Sequence, residues 1–167
     1  FEQLNELKAR DILVLSGSIP SSIRSSIYKE IMERLQGRGI QIVVDAEKAL
    51  LMEVLPLHPF LIKPNNHELE AMLGRTLSTK EEVLEGAKEL QASGARNVLV
   101  SMAGDGAVLL TEDGAVYREG VCRGTVVNSV GAGDSMVAGF LAGYLKTGDY
   151  GYALKLGTAS GGATAKL

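Results

Sequence analysis

Asn128 to Gly143 reads N-S-V-G-A-G-D-S-M-V-A-G-F-L-A-G and holds the residues best suited to chemistry. Gly131, Ala132 and Gly133 lead to a carboxylate, Asp134. Beyond it Met136, Val137, Phe140, Leu141, Tyr144 and Leu145 recur at the spacing of one helix face. Beside them Ala138, Gly139, Ala142 and Gly143 form a small-residue stripe suited to close packing on a sheet. The pattern predicts a helix beginning between Gly131 and Asp134. The first N–H groups of a helix lack partners within it, and the macrodipole is positive there, so this start is suited to an anion. Asp134 has two readings. It is either a helix cap, worth about 1 kcal/mol, or a base beside phosphate-binding amides, the parts that phosphoryl transfer to an alcohol requires.

The preceding chain must position this loop. Asp11 to Ser16, Ile40 to Val44, Phe60 to Ile62 and Asn97 to Val100 are short apolar runs of the buried, parallel-strand kind. Helical patterns lie between them. One carries Ile23, Ile27, Ile31, Met32 and Leu35 inward, a second spans 46–54, and a short third ends at Gly74. A fourth is opened by an expected capping box at Ser78-Thr-Lys-Glu81, with Val83, Leu84, Ala87 and Leu90 inward. Ala107 to Leu110 and Ala115 to Tyr117 read as a hairpin, and a last helix is expected from about Asp149. Alternation of strand and helix predicts an α/β fold with a mainly parallel sheet flanked by helices. Ligands of such sheets gather at the carboxyl ends of the strands. Ser16 to Ser18, Asp45, Lys63 to Glu68, Ser101 to Gly106 and Gly131 to Asp134 are all expected at such ends.

The 167 residues have the length of one domain, and 46% apolar with 22% charged residues is the composition of a globular protein. A net charge of −3 argues against nucleic acid as a partner. No apolar run is long enough to span a membrane and no secretory signal is visible. Cys122 is the only cysteine, so no internal disulfide can form. A reducing cytoplasm fits, and the thiol reads as inert filler rather than nucleophile. His58 and His67 read as surface or packing residues, and Asp105 as a turn residue. Phe1 in place of an initiator methionine, and a helical pattern still running at Leu167, are what an internal piece of a longer chain would show.

Gly131-Ala-Gly-Asp134 and its small-residue helix resemble the C-terminal signature of the PfkB (ribokinase-like) carbohydrate kinases. Three further stretches agree in order: Ser16-Gly-Ser-Ile-Pro20 with the S-G-S-[LI]-P turn, Lys63-Pro-Asn-Asn-His-Glu68 with K-P-N-x-x-E, and Ser101 to Gly106 with the nucleotide loop. Within the family the sequence is most similar to the 1-phosphofructokinase and tagatose-6-phosphate kinase branch. The resemblance covers essentially all 167 residues, as the C-terminal portion of the family's chain. It implies that the N-terminal half, with the small β-sheet lid and most sugar-binding residues, is absent, and that the last helix is cut after Leu167.

The resemblance also implies roles. Asp134 matches the catalytic base, and Gly131, Ala132 and Gly133 match the anion hole. Asn65 and Glu68 match the pair associated with Mg²⁺ through water, and Lys63 offers a point charge to phosphates. Ser101, Gly104 and Gly106 match the nucleotide loop, and Gly157 to Gly161, including Ser160, the segment near the adenine. Two positions depart from the pattern. Asn128 stands where many relatives carry aspartate, and Ala103 where many carry glycine, which leaves open which amide meets phosphate. The implied reaction takes ATP and Mg²⁺ with fructose 1-phosphate to fructose 1,6-bisphosphate. The alternatives are a tagatose-6-phosphate kinase or a nucleotide-binding fragment without activity of its own. Pairing of two copies is expected through the lid, which this chain lacks.

Overall fold

The computed structural model describes residues 2–121 and 124–166. The expectation for Cys122 lies outside them. The chain divides into two compact units, one up to Val98 and one from Leu99 onward. No helix among the described residues is long and apolar enough to cross a membrane.

In the first unit, β1 (Ile12–Ser16), β2 (Gln41–Asp45), β3 (Leu61–Ile62) and the start of β4 (Asn97–Ser101) lie side by side in that order, all parallel. Val43, Val44, Leu61, Ile62 and Val98 are completely buried, as strands covered on both faces require. Between strands run α1 (Ile27–Leu35), α2 (Lys48–Val54), α3 (Asn66–Leu73) and α4 (Lys80–Ala92). α1 begins later than its apolar pattern suggests. Ile23 stands 48% exposed in the preceding turn, because apolar spacing alone does not exclude a residue outside the helix. The capping box of α4 is one residue later than expected. Thr79 Oγ1 accepts from the Glu82 N–H at 3.1 Å, and Glu82 Oε2 accepts from the Thr79 N–H at 3.0 Å. Ser78 only adds an N–H bond to the same carboxylate. α4 packs on α3 at Gly86, where a β-carbon would lie 2.8 Å from Leu73 Cδ1.

The second unit holds the rest of β4, the antiparallel hairpin of β5 (Ala107–Leu110) and β6 (Val116–Glu119), α5 (Ala132–Thr147) and α6 (Tyr150–Thr164). The hairpin turn is closed by Thr111 N–H to Ala115 O at 2.9 Å. Asp149 caps α6 by accepting from the Tyr152 N–H at 2.7 Å. The fold is thus α/β with a mixed but mainly parallel set of strands, as the sequence predicts.

The small-residue stripe of α5 meets a helix rather than a sheet. A β-carbon on Gly139 would lie 2.4 Å from Ser160 Oγ and 2.9 Å from Leu156 O, and one on Gly143 2.9 Å from Ala153 Cα. From the opposite side, Gly157 would meet Met136 O, and Gly161 would meet Ala132 O, both at 2.9 Å. The two backbones therefore approach closer than any larger residue allows. Ala138 and Ala142 lie exposed, off this seam. Leu145 is 67% exposed, because the buried face of α5 runs through Val137, Phe140 and Leu141 and turns away before the last turn. We expect Gly139→Ala to cost about 2–3 kcal/mol through overpacking. The exposed Ala142→Ser should cost about 0.5 kcal/mol. Urea denaturation of each variant reads the difference.

Candidate functional site

The start of α5 has the geometry of an open anion site. Gly131 takes the N-cap position with φ 78° and ψ −6°, a left-handed conformation that suits glycine, and it has no side chain to cap the helix. The Ala132 N–H donates to Ser129 O at 3.1 Å, and the Ser135 N–H to Gly131 O at 2.9 Å. Between them, the N–H groups of Gly133 and Asp134 meet no acceptor among the described residues. Asp134 is therefore not the cap. It sits in the first turn, exposed, and its carboxylate takes no hydrogen bond or ion pair among the described residues. A helix start with spare amides and an unengaged carboxylate can hold an anion and accept a proton beside it.

α6 holds this start in place. Thr164 Oγ1 donates to Ser135 Oγ at 2.7 Å, and Ala165 O accepts from the Val127 and Asn128 N–H groups at 2.9 and 3.2 Å. Asn128 Oδ1 accepts from the Val130 N–H at 3.0 Å and shapes the loop before Gly131. Gly157 and Ser160 lie in the seam itself. Gly157 is buried against Phe140, and Ser160 Oγ donates to Leu156 O at 2.9 Å beside Gly139.

At the end of β4, Ser101 leads into a tight turn. The Met102 N–H donates to Gly106 O at 2.8 Å, and the Asp105 N–H to Met102 O at 2.9 Å, which gives Asp105 its turn position. Gly106 has φ 89° and ψ −137°, and a β-carbon there would lie 2.0 Å from Glu119 O. Gly104 is exposed with open space around it. Ala103 has φ 43°, which explains why glycine suits its position. The N–H groups of Ala103 and Gly104 meet no acceptor among the described residues. Gly106 therefore shapes the turn, while Ala103 and Gly104 carry its spare amides.

The first unit carries the other candidates. Asn65 caps α3 in a reciprocal box with Glu68: its Oδ1 accepts from the Glu68 N–H at 2.8 Å, and Glu68 Oε2 accepts from the Asn65 N–H at 2.8 Å. Glu68 Oε1 takes no hydrogen bond among the described residues. Lys63 is buried, with Nζ 3.3 Å from Asp45 Oδ1. Tyr28 donates its hydroxyl to Ser16 O at 2.7 Å, and burial, with Asp45 second, pushes the phenol upward. His67 is on the surface beside Glu70, and His58 Nδ1 lies 2.9 Å from Gly94 O. Among the described residues no three His, Cys, Asp or Glu side chains cluster as a metal site. Asn65 and Glu68 suit a cation that keeps its own water, as Mg²⁺ does.

The family model described as pfkB family carbohydrate kinase matches residues 1–166. The chain belongs to the pfkB carbohydrate kinase family. It is 47% identical over 164 residues to the 1-phosphofructokinase of Bacillus subtilis, covering 98% of this chain and 54% of that protein. It is 36% identical over 151 residues to the D-tagatose-1-phosphate kinase of Klebsiella oxytoca, covering 90% and 49%. The structure of Escherichia coli phosphofructokinase-2 in complex with substrates and products matches with a TM-score of 0.91 at 30% identity, covering 98% and 54%. The chain thus spans about half the length of the relatives it matches.

Motif reading missed what braces these segments. The Asp45–Lys63 pair joins residues 18 positions apart, and its only signal was opposite charges following two apolar runs. The support from α6 had no signal beyond its glycines. We expect Gly106→Ala to lose about 3 kcal/mol or more, because the clash is with backbone and the φ is left-handed. Gly104→Ala should stay within about 1 kcal/mol of the parent in thermal unfolding. Tyr28 predicts a pH effect of definite sign. Its raised folded pKa gives stability that is full below the ordinary value of 10.0 and is lost as pH rises through the folded value. Tyr28→Phe should remove that alkaline loss in melting curves taken across the range.

Proposed function

We propose that this chain is the nucleotide and catalytic-base portion of an ATP-dependent kinase that phosphorylates a ketohexose phosphate, with fructose 1-phosphate as the first candidate. One observation carries the proposal: Asp134, unengaged, stands in the first turn of α5 beside the spare amides of Gly133 and its own backbone. The names of the relatives supply the substrate class. A 1-phosphofructokinase and a D-tagatose-1-phosphate kinase are both among them, which favours a ketohexose 1-phosphate, as in the first expectation from sequence, over the alternative of tagatose 6-phosphate.

In this reading Asp134 accepts the proton of the acceptor hydroxyl as its oxygen bonds to the γ-phosphorus of ATP. The bond from that phosphorus to the ADP oxygen breaks, and ADP leaves with the electron pair. At the turn formed by Gly131, Ala132 and Gly133, the spare N–H groups of Gly133 and Asp134 donate to the equatorial oxygens, where charge accumulates in a loose transition state. Spare N–H groups at Ala103 and Gly104 suit the remaining phosphates, with Ser101 and Gly106 fixing the turn that presents them. Asn65 and Glu68 would hold Mg²⁺ through water, and the ion would supply charge neutralisation. Gly157 and Ser160 serve by holding α5, since both are spent on the seam.

Turnover belongs in this proposal to the longer protein, and the 167 residues alone are expected to have none. The competing reading is a nucleotide-binding module without activity. A coupled ADP-release assay on the longer protein, run with a panel of sugar phosphates, separates the two. In that protein Asp134→Asn should lower kcat about 10³-fold. Because the carboxylate braces nothing, the melting temperature should shift by less than about 2 °C. Retention of kcat within a few-fold would remove Asp134 from the base role.

A further inference from the structure

Asp45 ends β2, and Lys63 follows the end of β3, the neighbouring parallel strand. The pairing of Val44 with Ile62 sets the two side by side. Nζ lies 3.3 Å from Oδ1, with the side chains 7% and 17% exposed. The same aspartate reaches the other way. Ser16 pairs with Asp45 in register, and Asp45 O accepts from the Gly17 N–H at 3.0 Å. Tyr28, in α1, fastens that turn through Ser16 O and Gly17 O at 2.7 and 3.3 Å. One residue therefore links the turn after β1 to the segment that begins at Lys63.

Folding alone does not call for this pair. Removing one partner of a buried ion pair leaves an uncompensated charge, yet replacing both with apolar residues is often neutral or stabilising. Apolar residues would merely continue Val43-Val44 and Leu61-Ile62, which are wholly buried. A charge pair adds direction. Nζ must stay within reach of Oδ1, and from Lys63 the chain passes through buried Pro64 to Asn65, which starts α3. The place of Lys63 thus fixes where Asn65 and Glu68 stand.

We propose that Asp45 is a positioning residue for phosphoryl transfer, acting through the Lys63 ammonium to fix the segment that carries Asn65 and Glu68. The inference rests on the kinase reading above. Partners behind a cation-binding set change cation affinity or activity about 10- to 100-fold when removed. In the longer protein, the apolar double variant Asp45→Leu with Lys63→Met should fold and melt close to the parent. Its kcat should fall, and its half-saturating Mg²⁺ rise, each by about 10-fold or more. The KM for the sugar phosphate should stay within about twofold. Asp45→Glu alone, which keeps a carboxylate opposite Lys63, should retain more kcat than the double variant. A double variant that is stable and fully active would overturn the inference, as would one that cannot fold, since the pair would then be structural. If the parent itself phosphorylates no ketohexose phosphate, the kinase reading falls and takes this with it. An active parent beside an active double variant sinks the positioning role alone.

Discussion

The close approach of α5 and α6 is the constraint on which the second unit depends. Four glycines, Gly139, Gly143, Gly157 and Gly161, face the partner helix where any β-carbon would come within 2.9 Å of it. Glycine inside a helix costs about 1 kcal/mol relative to alanine, so four of them are a substantial concession. The return is position. With the backbones this close, Thr164 reaches Ser135, Ala165 O reaches two N–H groups of the incoming loop, and Gly161 rests against the first carbonyl of α5. Amides stabilise a developing charge well only if they are already in place when it forms. A helix start held from behind by a second helix meets that condition, and a loop would not.

Charge is handled differently in the two units. Asp134 is exposed and unengaged, which costs little because water solvates it and the helix start favours a negative group. Lys63 is buried and could not remain charged cheaply alone, so Asp45 accompanies it. The first arrangement leaves a group ready to take a proton. The second spends its charge on holding a strand end. Burial thus distinguishes the carboxylate left open at the surface from the one engaged within the fold.

Much of this was legible in the sequence. The start of α5 at Gly131, the start of α6 at Asp149 and the hairpin around Asp113 all follow from local chemistry: glycine at a left-handed cap, a capping carboxylate, and turn residues between apolar runs. Errors arose where a partner distant in sequence decided the outcome. Periodicity marked the stripe on α5 as a packing face, but spacing within one helix cannot say whether a sheet or a helix lies opposite. It also carried Leu145 inward, although the core ends before it. The capping box of α4 slipped by one because Ser78 and Thr79 can both cap, and the reach of Glu82 decides between them. Within the site, a shared motif concealed different duties. Gly104 and Gly106 read alike as loop glycines, yet one faces open space and the other passes 2.0 Å, at its β-carbon position, from Glu119 O.

The helix starts of α3 and α5 meet one problem with opposite solutions, and the difference matches the charges proposed for their ligands. Every α-helix begins with N–H groups that lack internal acceptors. At α3, Asn65 and Glu68 satisfy two of them reciprocally, and Glu68 Oε1 takes no hydrogen bond among the described residues. Lone pairs attract cations and their water. At α5 the cap is glycine, no side chain intervenes, and the N–H groups of Gly133 and Asp134 stay open. Open amides attract anions. Asparagine and glutamate three residues apart at one start, and glycine at the other, therefore set by simple donor and acceptor accounting which start offers acceptors and which offers donors.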